Sequence, residues 1–206
     1  MIVRMNADAM TPPAHPLFEQ PWPEGEFRFF QLGHVVDDVF TAADAWVRAF
    51  GIGPFHVLPI VEQRADYGGE MRAVQIQVAV AQAGPVQIEL IQQHCQTPSI
   101  FQDWSRGGSS AFHQIATVTD DYDGKKARFE ALGFKIAAES STGKFRVAYV
   151  DTAVDFGFYT EVVESSPGFL KQLRVISDTC ANWDGADPVR IMTREGYRLP
   201  EGSSAR

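Results

Sequence analysis

FRFFQLGHVV, residues 27–36, sets aromatic and β-branched side chains in one short run, the pattern of a buried strand. TAADAWVRAF, residues 41–50, follows with Ala45, Val47 and Phe50 on one helical face. Thr41 is the expected N-cap and Gly51 the expected stop. Three more strand-like runs come next, FHVLPIV, MRAVQIQVAV and PVQIELIQ, parted by YGG and AQAGP turn chemistry. The order reads βαβββ, and it then returns. AFHQIATV is a strand, KKARFEALGF a helix, and RVAYV and FGFYTEVVE are strands, with ESSTGK as a loop. The two helices superpose without gaps at an offset of 82 positions: Ala45 on Ala127, Val47 on Phe129, Gly51 on Gly133. At slightly shorter offsets His34 and His113 fall on the first strand of each copy, and Glu89 and Glu161 on the last. A duplicated unit explains all of these matches at once.

Duplication sets the expected architecture: an α+β fold in which two paired βαβββ modules, residues 27–98 and 99–165, form a cup-shaped, partly closed mixed sheet. Residues 1–26 carry five prolines and read as an extended arm. Residues 166–206 read as a C-terminal helical extension, a helix opening near Ser166 with Phe169, Leu170, Leu173 and Ile176 at helical spacing, then a mostly irregular tail. The chain has 206 residues, 45% hydrophobic and 21% charged, which suits one ordinary domain with extensions. No apolar run approaches the roughly 20 residues of a membrane span, so a soluble protein without membrane contact is expected. A net charge of −8 repels polyphosphate, which argues against nucleic acid as a partner. Cys95 and Cys180 are too few for a disulfide framework or a thiolate zinc site, and with no signal-peptide pattern at the start a cytoplasmic location is expected.

A carboxylate set among apolar neighbours on a strand is costly to bury alone, so Glu89 and Glu161 need something to neutralise them. If the two units pair around a pseudo-twofold axis, His34, Glu89, His113 and Glu161 converge on one cavity. Two imidazoles and two carboxylates then offer a ligand set for a divalent cation with coordination positions left open for substrate.

LGHVVDD, AWVRAFGIGPF, PVQIELIQ, FHQIATVTDD and FYTEVVE together resemble the vicinal oxygen chelate superfamily, over about residues 27–165. Its members include lactoylglutathione lyase, methylmalonyl-CoA epimerase, extradiol dioxygenases and bleomycin-resistance proteins. The resemblance implies His34, Glu89, His113 and Glu161 as metal ligands, a divalent ion such as Ni, Co, Mn, Zn or Fe, a small carbonyl or thioester substrate, and a homodimer. The expected reaction is that of an isomerase, epimerase or lyase: proton removal next to a carbonyl through a metal-stabilised enediolate. Glu161 is the first candidate base and Glu70 the second. Two alternatives stand beside it. His34, His113 and Glu161 would make an Fe(II) triad of the extradiol dioxygenase type, with His56 or Tyr159 recruited as acid–base partner, and a non-catalytic binding protein of the resistance type needs no ligands at all. Lys125, Lys126, Lys135, Lys144 and Arg146 either meet an anionic substrate group or line a solvated face, and Phe55, Trp104, Phe112, Phe145, Phe156 and Tyr159 are candidates for an apolar wall.

Overall fold

The computed structural model describes residues 29–104, 111–141 and 145–201. The proline-rich arm, residues 105–110 and Lys144 lie outside the described residues. The first half runs β1 (Phe29–Val35), α1 (Val39–Phe50), β2 (Phe55–Val57), β3 (Val61–Tyr67), β4 (Glu70–Ala83), β5 (Val86–Gln93) and the short α2 (Ile100–Trp104). The second runs β6 (Ala111–Thr119), α3 (Tyr122–Ala131), β7 (Ile136–Ser141), β8 (Arg146–Val150), α4 (Ala153–Phe156) and β9 (Tyr159–Glu164). The extension adds α5 (Pro167–Ala181), β10 (Val189–Thr193) and β11 (Gly196–Arg198).

Each half supplies the ring with a βαβββ unit, β1, α1, β3, β4 and β5 in the first and β6, α3, β7, β8 and β9 in the second, with short β2 an addition to the first; β1 is parallel to β5 and β6 to β9. The halves meet through antiparallel β1 and β6 and again through β3 and β7. The 14-residue β4 is long enough to pair β3 with its first half and β5 with its second. That double duty closes eight strands into a ring, a barrel-like cup whose inner and outer faces alternate along every strand.

Helices α1 and α3 cover the outer face. Val39 and Ala43 of α1 pack on Val57, Ala79, Ala81, Ile88 and Leu90, while Tyr122 and Phe129 of α3 pack on Ala148, Val150 and Val162. Inside the ring, Ile100 and Phe101 of α2 meet Val35, Val74, Ile76, Ile91, Tyr149 and Tyr159. α5 lies over the inner side. Its Phe169 ring sits 4.8 Å from Phe145 and 5.8 Å from Phe30, Ile176 is buried, and Cys180 Sγ accepts the Gln82 N–H at 3.2 Å.

Several expectations are corrected at element ends. The N-cap of α1 is Asp38, not Thr41: Asp38 is the extended residue, and its Oδ1 accepts the Thr41 N–H at 2.7 Å. FHVLPIV is not one strand, because Pro59 offers no N–H and the run divides into β2 and β3. IAAESS forms β7 where a loop was expected from Glu139 onwards, paired on both sides. The tail is not irregular either: β10 runs parallel to β2 and antiparallel to β11. Gly51, with φ of 67°, and Ser166, whose hydroxyl accepts the Phe169 N–H, do end α1 and begin α5. Among the basic residues of the second half, Arg146 forks onto Asp123 at 2.8 and 3.1 Å and reaches Glu164 at 2.7 Å, and Lys126 meets Glu139 at 2.8 Å. These two cations serve internal pairs. Among the described residues no helix is long and apolar enough to cross a membrane.

Candidate active site

Two rows of paired residues cross the inner face side by side. One runs Glu89 on β5, Gly33 on β1 and Gln114 on β6; the other runs Gln31 on β1, Ala116 on β6 and Glu161 on β9. Each row is an acid and a carboxamide separated by a residue with almost no side chain. The two rows are images of each other under the duplication. Gln31 and Gln114 each stand seven positions before their helix N-caps, Asp38 and Asp121, and the same alignment sets Gly33 on Ala116. The repeat is therefore completed by glutamines at the first-strand positions, not by histidines.

Glycine at 33 has a specific use. A Cβ there would lie 2.5 Å from Gln114 Cδ and 2.6 Å from its Cγ, so only a bare backbone lets the Gln114 side chain lie across β1. Lying there, Gln114 Nε2 donates to Glu89 Oε2 at 3.0 Å and to Glu161 Oε2 at 2.9 Å. One amide group thus holds two carboxyl groups. Its own carbonyl Oε1 accepts from His113 Nδ1. Tyr149, opposite Glu161 on β8, hydrogen-bonds the Glu161 carboxyl from the other side. We expect Gly33→Ala to break this arrangement at a cost of about 1–3 kcal/mol, the usual range for overpacking. Denaturant unfolding of Gly33→Ala, Gln114→Ala and the double variant checks it: the double variant should lose clearly less than the two single losses added, and simple additivity would contradict the assigned contact.

Electrostatically the site is short of positive charge. Burial raises the Glu161 carboxyl to about 7, against which its Tyr149 and Gln114 hydrogen bonds pull downward. Burial, and then the charge of Glu161, hold Glu89 well above the ordinary carboxylate range. The histidine beside them supplies no cation, since burial lowers His113 to about 4. Its Nε2 is buried without a partner, as is Nε2 of Gln87.

The structure brings together only part of the expected ligand set. Glu89 and Glu161 meet at Gln114. His113 lies next to them because β6 bulges: Gly33 pairs with Gln114 and His34 with Phe112, leaving His113 as the extra residue, turned inward among Phe101, Trp104, Tyr149 and Tyr159. His34 is not there. Strand alternation sends it to the outer face, where its ring lies 5.5 Å from Trp46 of α1 and 5.4 Å from Phe112. Glu70 stands at the exposed start of β4, paired with Arg72 at 2.9 Å, away from both glutamates. Of the candidate apolar wall, Trp104, Phe145 and Tyr159 face inward, Phe55 and Phe112 pack on the outer side, and Phe156 is exposed. Among the described residues no three His, Cys, Asp or Glu side chains gather to hold a metal ion.

A divalent ion fits the cluster once the carboxamides are counted. Ionised around a bound ion, Glu89 and Glu161 would supply two negative charges; among the described residues no Lys or Arg shifts either acid, and Gln31 and Gln114 add amide oxygens at matched positions. Amide oxygen and nitrogen exchange places by a half-turn, and a neutral imidazole such as His113 serves either orientation, as donor or acceptor. The donors are all oxygen, which suits Mg²⁺ or Mn²⁺ better than Zn²⁺ or Ni²⁺.

A family model described as the glyoxalase/bleomycin resistance protein/dioxygenase superfamily matches residues 30–149. A search of curated proteins finds no match. Among solved structures, methylmalonyl-CoA epimerase from Mycobacterium tuberculosis is similar at 16% identity and a TM-score of 0.48, over 69% of this chain and 91% of that one. A Streptomyces coelicolor methylmalonyl-CoA epimerase variant in complex with 2-nitronate-propionyl-CoA is similar at 17% identity and 0.47, over 68% and 95%. A hypothetical protein from Bacillus halodurans is similar at 14% and 0.49, over 67% and 94%.

Proposed function

The chain belongs to the glyoxalase/bleomycin resistance protein/dioxygenase superfamily, the vicinal oxygen chelate proteins, and from that premise we propose that it is a divalent-cation-dependent enzyme that moves a proton at a carbon next to a carbonyl. The observation that carries this reading is the pair of acids, Glu89 and Glu161, held by one carboxamide on the inner face with no cationic side chain acting on them among the described residues. Glu89, Glu161, Gln31 and Gln114 would hold the ion. When bound it would neutralise the acids and polarise a substrate carbonyl.

The chain's own groups supply the rest. Glu161 takes the proton on a carboxylate oxygen, and Tyr149 and Gln114 fix the direction in which that carboxylate points. Its apolar surroundings, Val163, Tyr149 and Phe101, keep water from levelling its basicity. Glu89, on the far side of the same amide, is placed to carry the second proton position that an epimerase or isomerase needs. Glu70 has no part in this scheme. The dioxygenase alternative loses support, because its triad requires His34 on the inner face.

Deuterium wash-in is the direct test. Acyl thioesters and hemithioacetals incubated with the protein in heavy water and Mn²⁺ or Mg²⁺ should acquire deuterium at the carbon next to the carbonyl, and chelator should stop it. Absence of exchange across both substrate classes, with the ion demonstrably bound, would overturn the reading.

A further inference from the structure

The extension beyond the family match builds half of a cavity. A space of about 460 Å³ lies between α5 and the part of the sheet where β2 gives way to β3. Its floor is His56, Leu58 and Val78, and its roof is Lys171, Val175 and Ile176 of α5, with Met192 of β10 closing one side. That volume falls in the range of small-molecule sites. Two features point to what it takes. The wall is mostly aliphatic, and Val61 and Val175 at its mouth leave half of their surface bare, apolar area that an apolar ligand would cover. Lys171 is its one lining cation, and among the described residues no carboxylate pairs with it.

The cavity also adjoins the acids. His56 pairs with Val80, and Val80 pairs on its other side with Glu89, so His56 and Glu89 stand on one face with a single valine between them. His56 Nδ1 donates to the Val80 carbonyl at 3.3 Å, which leaves Nε2 of the neutral ring as an acceptor.

We propose that this cavity binds the substrate's body, and that the substrate is a small organic acid with an aliphatic or aromatic chain whose anionic end meets Lys171. The assignment rests on the reaction proposed above, since it is that reaction's substrate the cavity would select. The chain lies along Leu58, Val78 and Ile176, and the reacting carbonyl points past Val80 toward Glu89 and Glu161. Specificity then resides in α5 and β10, outside the matched family region.

Calorimetric titration with octanoate and with uncharged octanamide tests the cavity without turnover. The unaltered protein should bind octanoate about two- to fivefold tighter than octanamide, the scale of one partly exposed ion pair. Lys171→Met should remove that preference and leave octanamide binding unchanged, and Val175→Trp, at a half-exposed site, should weaken both by about tenfold or more by filling the mouth. Equal affinity for the two probes, or octanoate binding unaltered in Val175→Trp, overturns the proposal. The two readings fail separately. Octanoate binding retained in a protein that never exchanges deuterium sinks the reaction, whereas exchange retained in a protein that ignores octanoate sinks the cavity.

Discussion

Glu161→Gln should lower deuterium exchange by about 10²–10⁴-fold, the range for losing a positioned base, while leaving the fold intact. The substitution keeps the shape of the side chain and two of its contacts: an amide oxygen still accepts from Gln114 Nε2, and Tyr149 keeps a polar partner. What disappears is the negative charge and the ability to take a proton. A second consequence separates this account from a purely structural role. Because burial holds the Glu161 carboxyl near 7, its anion is disfavoured in the folded chain, so at pH 8 without divalent ions the variant should unfold at higher denaturant than the parent. Rate and stability move in opposite directions. Equal losses of both, measured by exchange and by urea unfolding, would mark Glu161 as a structural residue only.

The second large effect concerns the ion and pH together. Glu89 and Glu161 have raised folded values, so each binds more protons folded than unfolded once the pH passes the ordinary carboxylate range, and stability falls as pH rises toward the folded values. His34, His56 and His113 act oppositely: their lowered values make stability rise with pH, but that gain is complete by about pH 7.5, a unit above the unfolded imidazole value, where the unfolded imidazoles are also neutral. Between pH 7.5 and 9 only the acids of these two sets act. One excess proton across that window amounts to about 2 kcal/mol lost by the chelator-treated protein. A bound ion removes the reason for the loss. Mn²⁺ at about 100 times its dissociation constant adds about 2.7 kcal/mol, or roughly 5–10 °C in melting temperature for a chain of this size. Melting curves at pH 7.5 and 9, with chelator and with Mn²⁺, check both signs. No shift with Mn²⁺ or Mg²⁺, or a chelated protein equally stable at both pH values, would contradict the all-oxygen site.

Much of the frame was legible in the chain. Strand runs, the two long helices and the duplication follow from periodicity, and Gly51 and Ser166 mark helix ends by chemistry that acts within a few residues. Both glutamates were legible too, because a carboxylate in PVQIELIQ or FYTEVVE has few reasons to be there. The first-strand partners were misread for a physical reason. Histidine looks like a ligand and glutamine does not, so His34 and His113 drew the alignment although they are not equivalent: one follows strand alternation outward and the other is the extra residue of a bulge. The better signal was local. Counting back from the aspartate caps, Asp38 and Asp121, lands on Gln31 and Gln114. The tail strands were beyond reach from sequence, since β10 and β11 are short and β10 joins the sheet by pairing with the distant β2.

That pairing has a mechanical result. β10 is stitched parallel to β2, the Phe55 N–H reaching Pro188 O at 2.8 Å, and Trp183 stacks where Gly53 has no side chain. α5 is therefore suspended between two anchors, its phenylalanine at one end and this seam at the other. Between them Ile176 is buried and Cys180 Sγ takes the Gln82 N–H, so the helix is fixed along its length, while Lys171 and Val175 stay exposed. Substitutions at those exposed positions would reshape the cavity's roof and leave Glu89, Gln114 and Glu161 in place.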